Sequence, residues 1–528
     1  MDEQPETFWW KIWGRPRRTF AWLTILSLLG WIGSSVFINR AHRGADWNDL
    51  GSGLAIAAFF VVFIFLMMGL VLSLIPRTRL WAGWILRRWF FCLAVFLTLV
   101  ALFYVEENWR GWRALDRVNR ELEARGIVLD WDKFIPPAVP DNQNVFKAPQ
   151  MQEWFVGRGP DKLTELLQNP KNFPIWGSAR TIDSEADARA YLAWSDQLQP
   201  QFTMIRDALK RPCSRMDGDY SNMLTVPIPN FVAIRDLART LAQRTHCYLL
   251  LHDPDKALAE LTFIHDLRHF MDCRPTGKPM TLVAAMINVA VAGLYADVIG
   301  DGFRTHAWQE AQLVELQKEL SEVHLMIPVA AALETEPAAT TRSLQILPIH
   351  EVIHALGAQG NLLPFPRGWI LQNIAHAVPF FYAGTEAFNV EQERVSPSSL
   401  NDSRKRLEKF LERRTPFKIY AALLIPNISK AAQTTTRNQN TINEAFIACA
   451  LERYRIANGS YPDSLDALAP QFIEKLPHDI INGGPLKYRK TENSFVLYSV
   501  GWNETDDGGI QDIKNPENGD WVWSYSAK

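Results

Sequence analysis

Residues 443–470, "NEAFIACALERYRIANGSYPDSLDALAP", decide how the last part of the chain folds. The first half spaces its apolar residues for one face of a helix, and Asn458-Gly459 ends it, because glycine takes the left-handed conformation that closes helices. Downstream, "LKYRK" and "SFVLYSV" alternate polar and apolar residues as strands do, with "KTEN" between them as a hairpin turn. Upstream, "TPFKIYAALLIPNISKAAQTTTRNQ" continues the helical pattern but is interrupted by Pro426. Residues 415–528 are therefore expected to form an α+β module of one long helix and a small antiparallel sheet.

Several ordered features of this module resemble the globular domain of the major pseudopilin of type II secretion systems, a type IV pilin-like family. They are Ala450 to Arg455, Asn458-Gly459, Tyr461-Pro462, Leu476-Pro477, Asp479, Gly483 to Leu486, Tyr488, Tyr498 to Gly501, Gly508-Gly509 and Trp521. The resemblance implies a calcium site in the loop 499–512, held by Asp506, Asp507 and Asp512 with main-chain oxygens near Ser499. Hard oxygen ligands at close spacing suit that ion, whereas a solvated Asp-Gly turn is the plainer reading. Trp502-Asn503-Glu504 departs from the family, which has a small residue and Asp there. No basic leader and apolar pilin helix precede residue 440, so a fixed outer domain is expected rather than a polymerising pilin. As a whole the chain resembles multi-span bacterial membrane proteins that carry such a tail.

The other end of the chain carries the strongest compositional signal. Eleven of the 20 tryptophans fall before residue 113, and three apolar stretches lie among them at 20–38, 54–75 and 89–105. A span needs roughly 20 mostly apolar residues, and tryptophans gather at membrane interfaces. Three N-terminal transmembrane helices are expected within 19–105, after a cytoplasmic basic segment, 1–18. Lys11, Arg15, Arg17 and Arg18 precede the first stretch, and Arg77, Arg79, Arg87 and Arg88 separate the second from the third. The positive-inside rule then puts the N-terminus in the cytoplasm and residues 106–528 outside, as in a bacterial inner-membrane protein. Arg110, Arg113, Arg117 and Arg120 oppose that orientation. With no small-residue cleavage site after the first stretch, an anchor is expected rather than a signal peptide.

Between these ends, 106–230 reads as a membrane-proximal helix followed by a proline-rich irregular region. Residues 231–414 read as an α-helical domain. There "AIRDLARTLAQRTHCYLLLHD" and "PDKALAELTFIHDLRHFMDC" form a tetratricopeptide-like helix pair around the Asp253-Pro254-Asp255 turn, with Ala257 and Ala259 as small packing residues. "MTLVAAMINVAVAGLYADVIG" is apolar nearly all round, but Asn288 and Asp297 favour a buried central helix over a fourth span. His246, His252, His265 and His269 cluster in sequence, and His265 and His269 stand four apart as a metal pair would, but Asp266 and Arg268 between them favour an ordinary polar face. Cys213 and Cys273 flank the helix pair and are candidates for a bridge, while Cys247 and Cys449 read as buried thiols.

One motif points to chemistry. "LPIHEVIHALG" (347–357) contains H-E-x-x-H, which on a helix presents His350 and His354 to a zinc ion with Glu351 as general base. Pro348 would leave His350 at a frayed helix start, and Gly360 stands where a third histidine would be. His376 and Glu386 are the remaining third-ligand candidates, and catalytic zinc needs three protein ligands. The motif is expected to be coincidental, with zinc not expected. A net charge of −2 without basic runs in the outer part excludes nucleic acid as a partner. The leading expectation is a non-enzymatic, membrane-anchored scaffold or interaction protein, with the lipid bilayer and secretion-system or other membrane proteins as partners. The alternative is a membrane-bound zinc metallopeptidase using Glu351, His350 and His354.

Overall fold

A computed structural model describes residues 88–528, apart from stretches near 157–181, 221–225, 272–280, 347–365 and 525–528 and a few single positions. The basic segment 1–18, the stretches 20–38 and 54–75, Cys273 and the HEVIH motif lie outside the described residues. The described chain is mostly helical with a small sheet at its C-terminal end. It divides into two compact units, Met1–Glu121 with Leu344–Ala375, and Leu122–Ser343 with His376–Lys528.

In the first unit, helix α1 (Trp89–Glu123) covers the third apolar stretch and continues as a polar helix. Glu107 is buried on it and accepts hydrogen bonds from Trp369 Nε1 at 3.0 Å and Gln372 Nε2 at 3.2 Å. The backbones come close because α1 and the segment beginning at Arg367 both offer glycine: a Cβ at Gly111 would meet the Gly368 backbone, and one at Gly368 would meet the Glu107 carbonyl. The Gly368 amide donates to Asn108 Oδ1 at 2.7 Å. The opposite face of α1 leaves Phe91, Leu99, Leu102 and Val105 exposed.

The second unit is built on long helices. The stretch 141–230, expected to be irregular, contains α2 (Met151–Phe155), α3 (Glu185–Ser195) and α4 (Gln199–Leu209). Ser184 caps α3 by accepting the Asp187 amide, with Glu185 and Asp187 in a first turn that favours acids. The expected pair follows as α5 (Phe231–Leu250) and α6 (Pro254–Leu267), packed together, with Asp253 as N-cap and Pro254 in the first turn. Ala257 is fully buried between them, but Ala259 faces solvent and is not a packing residue.

Helix α7 (Leu282–Arg304) packs against α5 and α6, with Ala285, Val289, Ala292, Tyr295 and Ile299 fully buried. By length and composition it could cross a membrane, yet more than half of its most apolar window is buried inside the protein, as a core helix requires. Asn288 is buried because it accepts from Arg268 Nε at 2.7 Å. After α7 come α8 (Glu310–Ser321), α9 (Met326–Ile346), α10 (Arg367–Glu386), a two-residue strand pair β1 (Phe388–Asn389) and β2 (Arg394–Val395), and α11 (Pro397–Leu411).

Helix α12 (Ile419–Asn458) joins the two ends of this unit. Its backbone stays helical across Pro426, so the expected interruption is absent; one proline removes a single backbone bond from a helix of 40 residues. It packs against both α7 and α8. Gly293 on α7 lets Asn438 of α12 approach and donate to the Val289 carbonyl at 2.9 Å. Gly459, at φ +79°, ends the helix as read from the sequence. Strands β3 (Lys487–Lys490) and β4 (Phe495–Ser499) form the expected hairpin, and β5 (Trp521–Ser524) adds a third antiparallel strand on the other side of β4. Cys213, Cys247 and Cys449 are free, buried thiols.

Candidate functional site

The loop from Ser499 to Asp520 connects β4 to β5, and two buried carboxylates shape it. Asp479 lies before the sheet and is fully buried. Its Oδ1 accepts from the Ser499 hydroxyl and the Ile481 amide, both at 2.9 Å, and its Oδ2 from the Val500 amide at 3.0 Å. Asp520, almost as buried, accepts the Asp507 amide at 3.1 Å and the Gly509 amide at 2.6 Å. Neither was proposed as a site residue from the sequence, because each has donors 11 to 21 residues away that only the folded chain brings near. Gly501, at φ +70°, closes against the Gly519 carbonyl, where any Cβ would collide.

The three aspartates expected to hold calcium each accept hydrogen bonds from protein donors, and Ser499, near which main-chain oxygens were expected as ligands, is tied by its side chain. Ser499 donates its hydroxyl to Asp479. Asp506 Oδ1 accepts from the Gly508 amide at 3.1 Å and the Tyr498 hydroxyl at 3.2 Å, and its Oδ2 lies 3.3 Å from Lys487 Nζ. The Gly508 amide and the Lys487 ammonium hold this carboxyl below the usual aspartate range. Asp507 accepts from Asn503 Nδ2 at 2.8 Å, and Asp512 Oδ1 from the Lys514 and Asn515 amides at 3.0 Å. Among the described residues, no group of three or more His, Cys, Asp or Glu side chains is placed to share a metal ion. The loop carboxylates do not fit a calcium site in this conformation: an ammonium already lies beside Asp506, and the other two brace their own turns.

The zinc candidates His350, Glu351 and His354 lie outside the described residues. Their suggested third ligands each have a protein partner. His376 Nδ1 lies 2.8 Å from the Phe417 carbonyl, and Glu386 pairs with Arg125 at 3.2 Å. The other histidines do not converge either. His246 meets the Ile182 carbonyl, and His269 meets that of Arg211.

A buried ionic cluster organises the helical body instead. Arg244, 1% exposed, donates to Glu260 Oε1 at 2.9 Å, Asp196 Oδ1 at 2.9 Å, Ser195 Oγ at 2.6 Å and the Tyr248 hydroxyl at 3.1 Å. Beside it, a groove of about 320 Å³ is lined by Arg206, Asp255, Thr262, Phe263 and Asp266. Arg206 is already bound to Glu260 and stacked on Phe263, so its charge is balanced within the protein. Among the described residues these arrangements tie helices together. Comparison with protein-family models, with curated proteins and with solved structures returned no match.

Proposed function

We propose that this chain is a membrane-anchored, non-enzymatic scaffold whose outer part, ending in a pseudopilin-like module, presents an interaction surface to other membrane or secretion-system proteins. The observation that carries the reading is the exposed apolar run at the start of α1, open around its circumference. Phe91, Val95, Phe96, Leu97, Leu99, Leu102, Phe103 and Val105 are all open on it. Each large apolar side chain left in water forgoes roughly 1.5–3 kcal/mol of transfer free energy, so a run of this kind asks for an apolar cover, and hydrocarbon supplies one. The long helix α12 followed by a three-stranded antiparallel sheet supports the pseudopilin-like reading. Calcium is not part of the proposal, since no three acidic side chains among the described residues converge on a shared point in the loop.

The outward edge of β3 is the proposed contact. Strand order leaves β3 paired on one side only, with Lys487, Arg489 and Lys490 exposed. The test places a photo-crosslinking residue at Arg489 in the full chain in cells, with Arg406 on α11 as the reference site. A membrane partner captured from Arg489 and not from Arg406 is expected. Identical capture at both sites would sink the interaction half of the reading, and release of the protein from membranes by alkaline carbonate would sink the anchor.

A further inference from the structure

Where α1 leaves its apolar run, the exposed face changes character in a fixed order. Leu99, Leu102 and Val105 are followed by Trp109 and Trp112, 52% and 54% exposed, and then by Arg113 and Arg117. Helical spacing puts Trp109, Arg113 and Arg117 at i, i+4 and i+8, along one line on the side opposite the buried Glu107, Gly111, Leu115 and Val118. This is the sequence of environments met on passing from acyl chains through the interface to the headgroups.

The charges on this turn are unevenly paired. Arg110 is held by Glu106 at 2.8 Å and Glu107 at 3.2 Å, and Arg120 by Asp116 at 2.8 Å. Among the described residues, Arg113 and Arg117 have no carboxylate partner. Arg113 instead lies over the Trp109 ring, 4.4 Å from its centroid. Stacking there leaves the guanidinium edge open and fixes it at the level of the indole, where a phosphate oxygen can accept its N–H groups in the planar geometry arginine favours.

We propose that Arg113 and Arg117, set by Trp109 and Trp112, form a docking surface for the headgroup of an anionic phospholipid. The proposal rests on the membrane reading of α1 and adds a lipid class to it. It also gives the arginines a role that does not depend on which side of the membrane they occupy, since either leaflet presents phosphate at that depth.

The experiment uses the full chain in nanodiscs of phosphatidylcholine mixed with phosphatidylglycerol, with native mass spectrometry counting the lipids that stay bound on release. Wild type is expected to retain phosphatidylglycerol in excess of its share of the bilayer. R113Q/R117Q should lose that excess, by about fivefold per arginine, while a charge-matched R406Q/K409Q variant on α11 keeps it. Both arginines are exposed, so the fold is not at risk. A chain that embeds and retains both lipids in bilayer proportion, or a double variant that keeps the excess, overturns the headgroup site and leaves the anchor standing. A chain that fails to embed overturns both.

Discussion

The Tyr461 hydroxyl donates to Glu452 Oε2 at 2.6 Å, so the turn that follows α12 is tied back to the helix it has just left. Glu452 is 1% exposed and also accepts from Arg455 at 2.7 Å, while His306, in the connection after α7, lies 2.8 Å from it. The "ERYR" and "NGSYP" elements of the sequence are therefore one structural joint, and their joint role is to hold the sheet's approach against α7.

Removing that donor has a predictable cost. Tyr461→Phe leaves a buried carboxylate short of one hydrogen bond, and we expect a loss of about 1–3 kcal/mol in chemical denaturation. Burial alone would raise the Glu452 carboxyl, but Arg455, Tyr461 and His306 outweigh it and hold it below its ordinary value. A depressed folded value gives stability that is full above the unfolded value and is lost as pH falls through the folded one. Acid unfolding should thus be shallower in Tyr461→Phe than in wild type; parallel acid limbs would count against this assignment.

The loop between β4 and β5 allows its acids to be sorted. Asp479→Ala removes the acceptor for three donors in a buried setting, and a loss of about 2–4 kcal/mol is expected. Asp512→Ala, on an exposed turn, should stay within about 0.5 kcal/mol. Excess calcium should leave the Tm of wild type unchanged. A calcium-dependent rise abolished by Asp512→Ala would show that the loop rearranges around the ion.

Gly501 tests the closure of the same loop. Its positive φ and the Gly519 carbonyl opposite leave no room for a Cβ, so Gly501→Ala should destabilise by about 1–3 kcal/mol. Gly508, also at positive φ but with open space around it, should tolerate Ala at a smaller cost. Equal losses at the two positions would point to backbone strain alone.

Glu444 makes the opposite prediction. It lies 2% exposed on α12, its Oε1 has no hydrogen-bond partner among the described residues, and burial holds its carboxyl well above the ordinary range. A raised folded value means that stability is full below the unfolded value and falls as pH rises toward the folded one. Glu444→Gln removes that fall. The variant should match wild type near about pH 4 and exceed it in Tm at about pH 8. A variant less stable than wild type at both would show that the carboxyl has a favourable partner.

Much of the helical body was legible because its signals are local. The cap at Asp253-Pro254, the stop at Gly459, and the hairpin around 491–494 each depend on a few adjacent residues. Asn288 inside an apolar helix pointed to burial, and Arg268 explains it. Helices α3 and α4 were missed although Ser184 and the acids after it form a start signal; scattered Pro and Asn around them masked the period. Asp479 and Asp520 were not proposed as site residues for a different reason: what each does is decided by amides that only the folded sheet brings near. Asp506 shows the same limit from the other side, since Lys487 lies 19 residues before it.

Because α12 serves both as a wall of the helical body and as the stem of the sheet, the body cannot be finished early. Until about residue 458 has been made, the side of α7 that receives Asn438 stays open, and the helices before it form an incomplete shell. A nascent chain of this protein therefore carries an exposed apolar helix from the completion of α7 until α12 is made. Products that stop short of α12 are expected to be cleared or to aggregate rather than persist as a smaller working domain, which ties the fate of the whole chain to its last hundred residues.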